Sequence, residues 1–146
     1  MFELEELRKK IEDYDYEGAL KIIDELEEMS KEDKLNKIYS YCVILLLHLI
    51  KQNAEARTTS SWERSIFNSV DNINRINKRR KSGGYYASRE DLLEIIEEAY
   101  PRAIREASYE AFEGKLSTLE LEQKCDFVLI KNKAIDFLDG EKTNFQ

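Results

Sequence analysis

The stretch "LNKIYSYCVILLLHLIK", residues 35–51, decides the fold of this chain. Its apolar side chains recur at the three- and four-residue spacing of a helix. Towards its end the stretch is apolar on nearly every side, which is typical of a helix that is buried all round. The longest apolar run, Val43–Ile50, has eight residues and includes a histidine, whereas a membrane span needs about twenty. The stretch therefore predicts the buried central helix of a protein core.

The composition of the whole chain agrees with a helical protein. The chain has 146 residues, which suits one domain with a substantial core. Five glycines and one proline are too few for a many-stranded, turn-rich protein. The sequence thus predicts an all-α fold: a single-domain bundle of four to five main helices around the Leu-rich central helix. We expect this domain to cover residues 1–140 and residues 141–146 to form a frayed tail.

Cysteine usage and the N-terminal segment indicate the compartment. The two cysteines, Cys42 and Cys125, do not form a CxxC pair, and we interpret both as reduced thiols. The first residues, "MFELEELRKKIEDYD", are too charged for a secretory signal. These features predict a cytoplasmic protein with no membrane association.

Serines mark three predicted helix starts. Ser30 precedes the central helix and is expected to cap it. Ser60 and Glu63, in "SSWE", fit a capping box in which each side chain accepts from the other residue's amide. Ser88 and Asp91, in "SRED", repeat that pattern.

Helical spacing predicts the extents of the other helices. A first helix runs from Phe2 to about Glu12 and is followed by a short turn. Pro101 lies within a long apolar stripe that continues in register beyond it, so we expect one kinked helix there. A single last helix is predicted over residues 118–138.

The candidate core residues come from the central helix and from the helix that follows it. Trp62 begins an apolar stripe that should face the central helix, so a core role is favoured over stacking on a ligand. His48, the sole histidine, is interpreted as a core residue that bonds to a neighbour rather than as a catalytic base. The predicted structural core comprises Leu45, Leu46, His48, Leu49, Trp62 and Ile66.

Catalytic and cofactor-binding patterns were not found in the sequence. A lone His48 cannot supply the paired Glu-x-x-His motifs of di-metal bundles, and the chain has no glycine-rich phosphate loop. The acidic runs Glu25–Glu28 and Glu94–Glu98 are interpreted as solvated helix faces. We therefore predict no catalytic residue, no metal ligand and no cofactor, and we expect a protein that is not an enzyme.

Charge is distributed unevenly. Residues 51–81 hold eight basic and three acidic side chains, a net of +5, although the chain as a whole carries −7. We interpret residues 61–79 as a core-packed helix whose last turn is basic, because cations are favoured there by the helix dipole. The basic residues beyond that need are candidate partner-binding residues, and we call them the basic helix end: Arg75, Lys78, Arg79, Arg80 and Lys81.

Three segments resemble a known family. They are "LLLHLIK" (residues 45–51), "SSWERSI" (residues 60–66) and "IEEAYPRAIREA" (residues 96–107). Their order and spacing resemble the bacterial family catalogued as domain of unknown function number 29, over roughly residues 5–140. The chain differs from the family pattern at its connector "QNAEART" and at Pro101. The resemblance implies an all-helical fold and brings no established activity, so no functional residue is carried over.

These observations lead to two functional expectations. The first is a non-catalytic protein–protein interaction or regulatory module, whose basic helix end contacts an acidic protein partner or another copy of the chain. The alternative is a nucleic-acid-binding module that uses the same residues around 75–81. The acidic balance of the chain disfavours that alternative, because its remainder would repel phosphate.

Overall fold

A computed structural model of the protein describes residues 2–79 and 83–138. The described residues form six α-helices and no strand beyond an isolated antiparallel bridge between Lys78 and Tyr85. The prediction of an all-α fold is confirmed. The helices are α1 (Phe2–Glu12), α2 (Tyr16–Glu55), α3 (Ser60–Asn77), α4 (Arg89–Ser108), α5 (Thr118–Gln123) and α6 (Phe127–Leu138).

The chain divides into two compact units, Met1–Lys34 and Leu35–Gln146, where the sequence predicts one domain over residues 1–140. The first unit contains α1 and the beginning of α2. The predicted tail, residues 141–146, lies outside the described residues.

A tight turn joins α1 to α2. Tyr14 adopts a left-handed φ of 61°, and the Asp15 carboxylate accepts a hydrogen bond from the Gly18 amide at 3.0 Å. That bond, with the nearby Lys10 ammonium, lowers the pKa of the Asp15 carboxyl. Asp15 therefore caps the start of α2, since its oxygen satisfies an amide that has no partner within the helix.

The predicted helix start at Ser30 is wrong, because Ser30 lies in the middle of α2. The residues around it are mostly Glu, Lys, Leu and Met, which favour helix, and Gly18 is the nearest glycine. No local signal is strong enough to break the helix there. The result is one helix of 40 residues that contributes to both units.

The core of the second unit forms around the Leu-rich part of α2. Leu45, Leu46 and Ile50 are completely buried. Most of the other buried side chains of the same core come from α4 and α6, and α4 packs against both α5 and α6. Burial of such side chains contributes about 1.5–3 kcal/mol each to folding.

The start of α3 lies one residue earlier than the predicted capping box. Thr59, not Ser60, is the cap, and its hydroxyl accepts from the Trp62 amide at 3.1 Å. The predicted box of Ser60 and Glu63 is therefore wrong. Thr59 has the extended backbone that a cap requires, with φ −133° and ψ 160°, whereas Ser60 is already helical.

Helix α3 ends at Asn77, two residues before the predicted end. The Asn77 side chain accepts from the Ala87 amide at 2.7 Å and donates to the Ala87 carbonyl at 3.3 Å. This buried amide thus links the end of α3 to the residue just before the cap of α4.

Helix α4 confirms the predicted capping box and the prediction of one helix, rather than two, around Pro101. Ser88 and Asp91 form the expected capping box. The helix passes through Pro101 without ending and stops at Ser108. Pro101 therefore lies inside one helix and does not separate two.

The single last helix predicted over residues 118–138 is wrong. The structure has α5, capped by a Ser117–Glu120 box, and a separate α6. Between them the Asp126 amide donates to Asn53 Oδ1 of α2 at 3.0 Å, and the Asp126 carboxylate accepts from the Leu129 amide. Asp126 therefore starts a new helix, and a contact from a distant part of the chain stabilises the break.

Candidate functional site

The basic helix end is exposed where the structure describes it. Arg75, Lys78 and Arg79 are all exposed, and Arg75 lies 3.7 Å from Asp71 in a surface ion pair. The Arg79 guanidinium lies 5.4 Å from the centre of the Tyr86 ring. Arg80 and Lys81 lie outside the described residues. The geometry leaves the three described cations accessible to a partner.

The predicted core residues occupy two environments. Leu45, Leu46, Leu49, Trp62 and Ile66 are buried, and the Trp62 side chain is 8% exposed. His48 is half-buried, and its Nδ1 lies 2.9 Å from the carbonyl oxygen of Ile44, one turn earlier in α2. That ring nitrogen is therefore engaged by the helix backbone rather than by a carboxylate.

A charged cluster surrounds Trp62, and no pattern in the sequence indicated it. Lys51 is 6% exposed, and its Nζ lies 3.0 Å from Glu110 Oε1 and 4.7 Å from the centre of the Trp62 ring. The Arg57 guanidinium lies 4.6 Å from the same ring and forms an ion pair with Glu55 at 3.1 Å. Such cation–π contacts stabilise a desolvated cation by roughly 0.5–2 kcal/mol.

Beside this cluster lies a turn whose residues have left-handed backbone angles. Phe112, Glu113 and Gly114 have φ values of 52°, 59° and 75°. At Gly114 an added Cβ would lie 2.9 Å from the Tyr109 carbonyl oxygen, so that position requires glycine. The Phe112 amide donates to Glu55 Oε2 at 3.4 Å, which ties the turn to the end of α2.

The charged side chains around Trp62 pair with one another, so this Trp62 cluster acts as a structural cross-link. A cavity of about 400 Å³ lies among its side chains. Three basic and three acidic side chains line the cavity, so their charges balance. Within the described residues, no buried side-chain nitrogen or oxygen is left without a hydrogen-bond partner. Lys51, one of the eight basic residues counted over residues 51–81, is buried and paired.

Burial favours the neutral forms of both cysteine thiols and of the Tyr100 hydroxyl. Burial raises the pKa of the Cys42 thiol to about 12. Burial, and to a lesser extent Glu122, raises the pKa of Cys125 to about 11. Burial also raises the pKa of Tyr100. Over residues 2–79 and 83–138, no three His, Cys, Asp or Glu side chains are grouped to hold a metal ion.

An apolar groove lies on the second unit between α2, α3 and α6, with a volume of about 640 Å³. Phe67 and Phe137 line it from α3 and α6, and both are exposed. Its polar rim carries both signs of charge, from Glu63, Asp136 and Lys133. The groove therefore shows no preference for a partner of one charge.

The first unit has exposed apolar side chains on α1. Helix α1 buries none of its residues. Leu4, Leu7 and Ile11 share one face of α1 by their three- and four-residue spacing, and Phe2 precedes them. We call these four residues the N-terminal stripe. Phe2 is 76% exposed, Leu4 and Ile11 are also exposed, and Leu7 is half-buried.

Further exposed apolar residues follow in the same unit. Tyr14 and Tyr16 are both exposed and contact each other edge to face, with ring centres 6.4 Å apart. Leu20 and Met29, in the first part of α2, are each 60% exposed. The helical spacing of the stripe was visible in the sequence, but its exposure was not, because spacing alone does not say what covers a face.

None of the helices in the described part of the chain is both long and apolar enough to cross a membrane.

Comparisons with known proteins identify a family. No match was found among curated proteins or among solved structures. A family model described as "Domain of unknown function DUF29" matches residues 3–138. Since that match covers most of the chain, the protein belongs to the DUF29 family of domains of unknown function.

Proposed function

We propose that this protein is a cytoplasmic interaction or regulatory module that binds another protein through its N-terminal unit and carries out no catalysis itself. The observation that carries the proposal is the exposure of the N-terminal stripe on a helix that buries none of its residues. Exposed apolar side chains grouped on one element of a folded protein are typical of a site where another molecule binds.

The contrast with the second unit supports this proposal. Residues 35–138 supply a well-packed apolar core with balanced polar cross-links, such as the pair of Lys51 and Glu110. The N-terminal stripe has no comparable burial, so we assign it to a contact with another molecule.

The proposal is tested by recovering tagged protein from its native cells. The stripe variant carries Leu4→Ser and Ile11→Ser, and the matched control carries Val128→Ser and Leu119→Ser, two exposed positions of the second unit. We expect a specific protein to be retained by the wild type and the control but lost from the stripe variant. The purified partner should then bind the wild type saturably.

Two results would contradict the proposal. One is retention of the same proteins by the stripe variant. The other is a clear fall in melting temperature of the stripe variant relative to the control, which would mean that the stripe packs within the chain. Thermal unfolding of all three proteins distinguishes these outcomes from a simple failure to fold.

Nucleic-acid binding by the basic helix end is the second candidate function, and the exposure of Lys78 and Arg79 favours it. Four or five phosphate contacts would give a log-affinity versus log-salt slope of roughly −4 on duplex DNA. The chain's pI of about 4.9 opposes it. We expect no binding at low salt. A slope near that value, abolished by changing Lys78, Arg79, Arg80 and Lys81 to Ala, would establish the second function instead.

A further inference from the structure

We infer that the partner of the N-terminal unit is a basic protein surface, in which apolar side chains are flanked by lysine or arginine. This inference rests on the proposed function and specifies the chemistry of its partner. It is carried by two properties of the same unit, its exposed stripe and its charge.

The net negative charge of the chain comes from the residues of this unit. Residues 1–34 hold thirteen acidic and six basic side chains, a net of −7, which equals the net charge of the whole chain. Residues 35–146 hold seventeen of each and are neutral overall. Surfaces that bind each other carry complementary potentials, so a basic partner is steered towards this unit more strongly than towards the remainder of the chain.

Acidic side chains neighbour two members of the stripe. Glu3 lies one turn before Leu7 on the same side of α1, and Glu5 and Glu6 lie about one turn after Phe2; all three residues are exposed. A partner that covers Phe2 and Leu7 therefore places its rim near these carboxylates. Lysine and arginine suit that rim, because their stems cover apolar surface while their charged ends reach the carboxylates.

The same charges disfavour pairing of the unit with its own copy. Two N-terminal units face to face would bring −7 against −7, and like charges across an interface suppress association. Complementarity therefore favours a different, basic chain. Self-association remains an outcome that the experiment reports.

Three designed helical peptides of about five turns serve as probes. The first combines leucine on one face with lysine on the other. The second replaces lysine with glutamate, and the third replaces leucine with serine but keeps the lysines. Binding of each peptide to the full chain is measured by calorimetry at several salt concentrations.

We expect the leucine–lysine peptide to bind and the other two to bind at least about tenfold more weakly. The stripe variant should lose that binding. A carboxylate variant, Glu3→Gln, Glu5→Gln and Glu6→Gln, should weaken it and flatten its salt dependence. The matched control is Glu94→Gln with Glu98→Gln, two exposed carboxylates of α4, and it should bind like the wild type.

Several outcomes would overturn the inference. Equal binding of the leucine–glutamate peptide would remove the charge preference, and equal binding of the serine–lysine peptide would remove the apolar one. Sedimentation that shows a wild-type dimer, made monomeric by the stripe variant, would make a second copy the occupant. A native partner lost from the stripe variant but held fully by the carboxylate variant would leave the proposed function intact and refute only the basic partner.

Discussion

The two parts of α2 share one continuous helix but differ in what their side chains contact. In residues 16–34, Ala19 is the one residue that is buried, and Leu20 and Met29 are exposed. In residues 35–55, most apolar side chains are buried in the core of the second unit, and even Lys51 is buried. A residue's position in a regular helix therefore says little about its burial.

The difference shows that the two parts form a helix for different physical reasons. The first part depends on local effects: the Asp15 cap, good helix formers, and Glu17–Lys21 and Glu27–Lys31 at the favourable i,i+4 spacing. The second part is stabilised by burial, which is the usual main source of helix stability in proteins. Segments with few buried contacts open at the lowest free energy, so we expect the first part to open more readily than the second.

The largest expected effect comes from truncating one leucine in each part of α2. Leu46 is fully buried, whereas Leu20 is 60% exposed. Leu46→Ala should lower the free energy of unfolding by about 2–5 kcal/mol, through lost burial and a residual cavity. Leu20→Ala should change it by less than about 0.5 kcal/mol. Urea unfolding measures both, and similar losses would show that the first part is packed as tightly as the second.

A smaller effect is expected from the ion pair that the buried part of α2 makes. Glu110→Gln leaves the Lys51 ammonium buried without its carboxylate. We expect a loss of about 1–3 kcal/mol, limited because Glu110 itself is half-exposed. The matched surface variant Asp71→Asn, which breaks the exposed pair with Arg75, should cost less than about 0.5 kcal/mol.

A double variant separates the charge from the contact. Lys51→Met with Glu110→Gln leaves no buried charge and should lose less stability than Glu110→Gln alone. If the double variant is as unstable as Glu110→Gln alone, the unpaired charge of Lys51 does not cause the loss of stability.

The smallest effect is a pH dependence at the start of α2. The pKa of Asp15 is lowered in the folded chain, so the carboxylate stabilises the helix start above the unfolded pKa of about 4. That stabilisation is lost as the pH falls through the lowered, folded pKa. Protection of the Gly18 amide from hydrogen exchange should fall over that range. In Asp15→Ala the protection should be low at every pH, and an unchanged acid dependence would assign the effect to another carboxyl.

Local signals predicted much of the fold. The capping box of Ser88 and Asp91 and the end of α1 at Glu12 depend on a few neighbouring residues, and the sequence predicted both. The cap of α3 was misplaced by one residue because "TTSS", residues 58–61, offers four hydroxyl side chains in a row. The structure selects Thr59.

Features that depend on distant contacts were not predictable from the sequence. The break before α6 is stabilised by Asn53, which is far from Asp126 in the sequence. Lys51 is buried because Glu110 and Trp62 accommodate its charge. The exposure of the N-terminal stripe likewise depends on what the rest of the chain leaves uncovered, and helical spacing carries no such information.

The central claim, that the N-terminal unit is a docking surface for a basic partner, is tested most directly by hydrogen exchange. Exchange is followed along the full chain with and without the leucine–lysine peptide. We predict that exchange slows across residues 2–34 and stays unchanged across residues 35–55 and in the helices that line the apolar groove. Slowing confined to α3 and α6, or no slowing anywhere, would contradict the account.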